Sequence, residues 1–533
     1  MPQHALPPHT LQAWLHDDQE IALFDVREAG QYGAAHLLHA CPLPYSRLEV
    51  DIGRLAPNRA IRTVLYDGGE DPQHGAAARA RRRLAALGYA DVRVLEGGTR
   101  AWAAAGLPLF AGVHVPSKAF GEMVEHRYRT PSVGPQALQA WLREPQPPVV
   151  IDGRPPEEHH TMCIPGAVCC PNGELALRIR AIVPDPATPI VVSCAGRTRS
   201  IIGAQTLREL ALPNPVFALE NGTQGWFLAD LPLEHGATRR HPDAVAATAD
   251  ARDAARHFAR RCGVATENAA TLEAWLGDAA RTTLVFDIRT AEEYAADGCS
   301  GSRHAPGGQL IQATDQFVGV RGARIVLLDT DGTRAPVVAG WLRRMGRDAH
   351  CVAGEVRALL ARHAAESTQP ELPAVPGIDA EDLQRSLPSP KFLVLDMRSS
   401  AAYRKAHVPG AKWRSRSQLN AGLDAAEIVL VADDPAVAAC AAIDLREAGF
   451  STLRQLEGGW PTWLHAGAPT ESTPDRPADA DRIDFLFFAH DRHRGNKEAA
   501  RQYLRWETEL LSQFDASDHA AMTRSLDTAG AAA

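Results

Sequence analysis

Short apolar runs recur along the chain, and four of them end in Asp-x-Arg. They close on Asp25-Val-Arg27, Asp152-Gly-Arg154, Asp287-Ile-Arg289 and Asp396-Met-Arg398. A second apolar run follows each: Thr63-Val-Leu-Tyr66, Ile190-Val-Val-Ser193, Ile325-Val-Leu-Leu328 and Ile428-Val-Leu-Val431. The first three units share one register, because Asp25 to Asp67, Asp152 to Cys194 and Asp287 to Asp329 are each 42 residues. The fourth is shorter, with 36 residues from Asp396 to Ala432. Brief β-branched runs with no polar alternation predict strands buried on both faces, the pattern of parallel sheets.

Each second run leads into an alanine-rich stretch that predicts a helix, as at 76–87 and 201–210. A third β-type run then reaches a turn at Glu96-Gly-Gly98, Glu220-Asn-Gly222 or Glu457-Gly-Gly459. Trp102, Trp226 and Trp463 follow at the same four-residue offset. The third unit keeps only Val352-Ala-Gly-Glu355 and lacks the Trp. Strands alternating with helices predict an α/β fold with crossover connections. Pro, Gly and polar residues gather at 112–130, 235–250, 366–376 and 468–481, which predicts linkers there. Beyond 481 an apolar cluster, Phe485 to Phe488, precedes a charged stretch with Tyr503, Leu504, Trp506, Leu510 and Leu511. That spacing predicts an amphipathic helix docked on a domain rather than a partner-binding tail.

Composition narrows the class. The chain has 533 residues, 45% of them hydrophobic, and a net charge of -8. The charge argues against a nucleic-acid partner. No run of about 18 apolar residues predicts a membrane span, and the N-terminus shows no secretory signal pattern. Nine cysteines are too few for a disulfide framework in so long a chain, and the odd count leaves one unpaired. A reducing cytoplasm is the expected compartment.

Ligands of parallel α/β sheets bind at the carboxyl ends of the strands. In the second unit that place is held by Cys194-Ala-Gly-Arg-Thr-Arg-Ser200, with a helix expected to begin near Ser200. A curled loop turns its N–H groups inward and forms an anion nest. The helix N-terminus and two arginines add positive charge. These features predict a reactive thiolate with a depressed pKa at Cys194, and a cradle for an anionic group. A buried inert thiol is the alternative, and arginines 197 and 199 argue against it.

The ordered set of Asp-x-Arg, cysteine loop and late glycine–Trp signature resembles the rhodanese family of sulfurtransferases. His407-Val-Pro-Gly-Ala411 and Ile164-Pro-Gly-Ala167 resemble the family's segment before the catalytic half. The resemblance implies an α/β chain of four tandem rhodanese-like domains, each a small, mainly parallel sheet flanked by helices. Their expected bounds are 6–112, 131–236, 266–366 and 376–470, with a C-terminal helical tail at 481–533. It implies that Cys194 accepts a sulfane sulfur and passes it to a thiol or cyanide. Arg197 and Arg199 would orient a thiosulfonate donor. Backbone N–H groups from Ala195, Gly196 and Thr198 through Ser200 would stabilise the persulfide. Arg154 would line the pocket and Asp152 would fix the loop. No metal or organic cofactor is required. Related phosphatases use Cys-x5-Arg, whereas Cys194 to Arg199 is Cys-x4-Arg, a tighter cradle suited to one sulfur atom.

Asp67, Asp329 and Ala432 stand at the cysteine position of the other units, which are expected to be non-catalytic. A carboxylate in the cradle would mimic the bound anion. Cys163, Cys169 and Cys170 near His159 and His160 do not match paired zinc-ligand spacing and are assigned to packing. The cluster Arg79-Ala-Arg-Arg-Arg83 predicts a solvated helix face. Glu125-His126-Arg127 is a candidate for the active-site rim. The expected partners are a small anionic sulfur donor and a thiol or cyanide acceptor, with neither nucleic acid nor membrane. The competing reading is a persulfide carrier or scaffold that delivers sulfur to a protein partner; it would depend less on Arg197 and Arg199 than on the other three units.

Overall fold

The computed structural model describes all residues except 1–3, 367–370, 390–391, 420–422, 424, 488–494 and 532–533. Each of the four repeats builds a parallel sheet with its strands in the same order: first, fifth, fourth, second, third. In the second repeat these are Ser132–Val133, Val216–Leu219, Ile190–Ser193, Val149–Asp152 and Val168–Cys169. The three long strands of this repeat are its three apolar runs; the sequence pattern missed the two-residue edge strands and, in the third repeat, the strand Asp348–Val352. Every residue of Ile190–Ser193 is buried, as expected for a central strand covered by helices on both faces.

Asp-x-Arg proves to be a structural clamp. Arg154 grips Asp152 through Nε (2.9 Å) and Nη2 (2.7 Å), and Nη2 also donates to the Met162 carbonyl. The same bonds recur at Arg27, Arg289 and Arg398, each reaching a carbonyl eight residues on. A bidentate pair with its remaining donor satisfied tolerates burial. It ties the end of the second strand to the helix that follows.

The glycine–Trp signature has an equally local cause. Gly222 adopts a φ of +52°, and a Cβ there would lie 2.2 Å from the Cys194 carbonyl oxygen. Gly98 meets the Asp67 carbonyl at the same distance. Only glycine allows this approach without strain. The next residue then bonds that carbonyl, through the Thr223 N–H at 2.8 Å or the Thr99 N–H at 3.0 Å. Trp226 anchors the helix by donating to the Pro232 carbonyl, as Trp102 and Trp463 do to Pro108 and Pro469.

The chain divides into two compact units, Met1–Val113 with Thr368–Phe487 and His114–Ser367 with Phe488–Ala533. The first unit joins the first and fourth repeats, and it corrects the reading of the arginine cluster. Arg79 is buried, 4.7 Å above the Tyr45 ring, and Arg83 reaches Asp444 and Glu447. These partners lie far along the sequence, so the cluster is largely an internal face, with Arg82 left exposed. The second unit joins the second and third repeats to the C-terminal segment. The tail forms a helix, Lys497–Glu509, as its spacing predicts, and Ala500, Tyr503, Leu504 and Glu507 are its buried stripe. It packs against the helices Val115–Tyr128 and Gly222–Leu228. Among the described residues no helix is long and apolar enough to cross a membrane.

Candidate active site

Cys194 follows the central strand Ile190–Ser193 and precedes the helix Thr198–Glu209. The helix begins two residues earlier than the sequence suggests, so Thr198, Arg199 and Ser200 lie in its first turn. Cys194 is 2% exposed. Its carbonyl bonds Thr223 N–H, and the Ala195 carbonyl bonds Gln224 N–H at 3.1 Å. The loop is therefore pinned to the helix Gly222–Leu228 from its first residues.

The expected depression of the thiol pKa is overturned. Burial pushes the Cys194 thiol up, Arg199 pulls it down, Glu507 pushes it up again, and bonds from the Ser200 N–H and hydroxyl pull it down. The balance lies above the ordinary value because desolvation of the charged form exceeds the local positive field.

The two arginines differ in role. Arg199 lies close enough to Cys194 for its charge to favour the thiolate. Its guanidinium is held in a bidentate pair with Glu158, at 2.7 and 2.9 Å. Burial pushes the Glu158 carboxyl up, yet Arg199 and Arg154 outweigh it and hold the group below its usual value. Arg197 is turned to the helix Val115–Tyr128, where Glu122 takes Nε at 2.7 Å and Nη2 at 2.9 Å, and Glu125 binds it too. Glu125, singled out in the sequence as a rim residue, thus acts as a counter-ion to the loop. Arg154, 1% exposed, is committed to Asp152 and Met162.

Several groups at the site carry no sequence motif. Glu158 and Glu122 neutralise the arginines. Glu507, from the tail helix, accepts a bond from the Thr198 hydroxyl at 3.1 Å. His159 is buried with Nδ1 3.0 Å from Asp152 Oδ2, and it replaces the tyrosines 32, 294 and 403 of the other repeats. That replacement was visible once the repeats were aligned on Asp-x-Arg. Burial of the Asp152 carboxyl is outweighed by Arg154 and His159, which bring it down to about 2. Cys163 and Cys169 are buried and have their thiols raised by burial to about 11 and about 12.

In the first repeat the Asp67 carboxylate accepts Gly69 N–H and Ala77 N–H, both at 2.9 Å. In the third, Asp329 accepts Gly332 N–H at 3.1 Å and Ala335 N–H at 2.9 Å. The expected internal mimic of an anion is formed in both. Burial, then Asp331, pushes the Asp329 carboxyl up to about 6. The fourth repeat has Ala432 at this position and Asp434 capping the next helix through Ala436 N–H at 2.9 Å.

Residues 7–105, 134–229 and 379–466 match the family described as Rhodanese-like domain. The third repeat lies outside the matched segments although it has the same sheet. Among solved structures, a thiosulfate sulfurtransferase from Pseudomonas aeruginosa is 41% identical, with 99% of each chain covered and a TM-score of 0.88. A rhodanese-like domain of the Alr3790 protein from Anabaena sp. is 27% identical over 21% of this chain and 90% of its own, with a TM-score of 0.18. A polysulfide-sulfur transferase from Wolinella succinogenes is 27% identical over 20% of this chain and 84% of its own, with a TM-score of 0.17. No curated protein sequence matches.

Proposed function

Because the chain belongs to the rhodanese-like domain family, we propose that its second domain, 131–236, transfers a sulfane sulfur from a small anionic donor of the thiosulfate type. The observation that carries this reading is the single cysteine loop: Cys194 precedes a helix N-terminus within the field of Arg199, and no other repeat has a thiol there. Nine cysteines, all free, support a reducing, cytoplasmic setting.

The reaction has two displacements. Cys194 thiolate attacks the outer sulfur of thiosulfate, the S–S bond breaks, and sulfite leaves with the bonding pair. A thiol or cyanide acceptor then attacks the outer persulfide sulfur, and Cys194 leaves as thiolate. Arg199 stabilises the anionic sulfur in both steps, with the loop N–H groups from Ala195 to Ser200 around it. Glu158 keeps Arg199 in place, and Glu122 with Glu125 keeps Arg197 as a brace of the loop. Asp152 and Arg154 hold the strand end on which the loop is built.

Thiosulfate and cyanide should yield thiocyanate with the full chain and none with Cys194→Ala. Full activity in that variant would overturn the assignment. A sulfur adduct on Cys194 without turnover would assign the persulfide-carrier role instead.

A further inference from the structure

All four repeats place a carboxylate at the start of the helix that follows the second long strand. Three draw it from their own loop: Asp67, Asp329 and Asp434 each accept a backbone N–H there. The second repeat has Cys194 in that loop, and its carboxylate comes from elsewhere. Glu507 of the tail helix binds the Thr198 hydroxyl at the first residue of the helix Thr198–Glu209. A Cβ built on Gly196 would lie 2.7 Å from Glu507 Oε2, and Tyr503 Cε1 would be 3.4 Å away.

Glu507 is costly where it stands. It is the one charged residue on an otherwise apolar and aromatic stripe. It is 2% exposed, and its Oε2 has no hydrogen-bond partner among the described residues. A buried carboxylate oxygen without a donor is destabilising by itself. Its charge also pushes the Glu122 carboxyl and the Cys194 thiol up. Arg197, on which its charge acts, is already paired to Glu122 and Glu125. A helix evolved only to cover the domain would gain from an apolar residue here.

We propose that Glu507 is a resident anion in the donor seat of the Cys194 loop, and that the helix Lys497–Glu509 is a gate which an anionic sulfur donor must displace. This rests on the reading of Cys194 as the sulfur-accepting residue. In the closed state Cys194 is 2% exposed, so a donor cannot reach the sulfur without movement. The donor's negative group takes over the helix N-terminus and the Thr198 hydroxyl as the carboxylate leaves. The gate is held by its buried stripe of Ala500, Tyr503 and Leu504 and by contacts to cations. The Lys118 ammonium lies 4.8 Å from the Tyr503 ring centre and 4.6 Å from that of Trp506, and Lys497 pairs with Asp230 at the surface. The unpaired Glu507 carboxylate oxygen works against these contacts, so an anion that replaces it at the helix start favours opening.

The test is the rate at which iodoacetamide alkylates Cys194 in the full chain, located by peptide mass. Wild type is compared with Glu507→Ala, which empties the seat, and with Lys118→Met, which loosens the helix without touching the loop. Both variants should be alkylated at least ~10-fold faster than wild type, in proportion to the open population. The KM for thiosulfate should fall in Glu507→Ala. Alkylation at the wild-type rate in both variants overturns the gate. Faster alkylation with no turnover in any protein upholds the gate and removes the thiosulfate reading.

Discussion

The loop of the second repeat and that of the first are built on the same clamp and pinned by the same glycine contact, yet one holds a thiol and the other a carboxylate. Asp67 fills its cradle with its own charge and satisfies two N–H groups. Cys194 leaves the start of its helix to Glu507, brought from the tail. In the first loop Glu70 and Asp25 add like charge beside Asp67, and Pro72 stands where the second repeat has Arg199. The repeated scaffold therefore supplies an anion site, and in the second repeat the loop puts a thiol there and leaves the anion's place to a residue from outside the repeat.

The largest effect should come from Cys194→Ala, with turnover falling by about 1000-fold or more, to background, because no other nucleophile sits at a loop of this kind. The comparison breaks if a thiol alone suffices. Asp67→Cys placed in the Cys194→Ala chain should stay at background in the thiocyanate assay, since the new thiol would lie beside Glu70 with Pro72 in the place of Arg199. Arg199→Ala should lower kcat/KM by about 100-fold, the usual loss on removing one charge-stabilising group. It should also move the alkaline rise of the pH–rate profile upward. The sign follows from Arg199 favouring the thiolate: wild-type activity rises with pH above the ordinary thiol range, and loss of the arginine raises that midpoint further. The smallest effect is Asp67→Ala, which should cost about 1 kcal/mol of stability, as for loss of a helix cap. It would be read as a lowered denaturation midpoint with turnover unchanged.

The sequence disclosed what is local. Asp-x-Arg closes over two residues, the glycine–Trp turn over about ten, and the long strands are unbroken apolar runs, so repeat, sheet and cysteine loop were readable in order. It concealed what is distant or collective. Arg83 meets Asp444 361 residues on, which turned an apparently solvated helix face into an internal one. Glu507 reaches Thr198 across 309 residues, and no periodicity marks a carboxylate on a buried stripe as functional. Counting arginines predicted a low thiol pKa because burial and the counter-ions Glu158 and Glu122 have no signature in a linear reading. His159 was legible in principle, since aligned repeats show tyrosine in its place.

The central claim is that sulfur is carried by one thiol among nine. Thiosulfate added to the full chain without an acceptor, followed by rapid acid quench and peptide mass analysis, tests it most directly. One sulfur atom on the Cys194 peptide, and on no other cysteine, is the predicted result; an unmodified Cys194, or the sulfur on Cys163, Cys169 or Cys170, would contradict it.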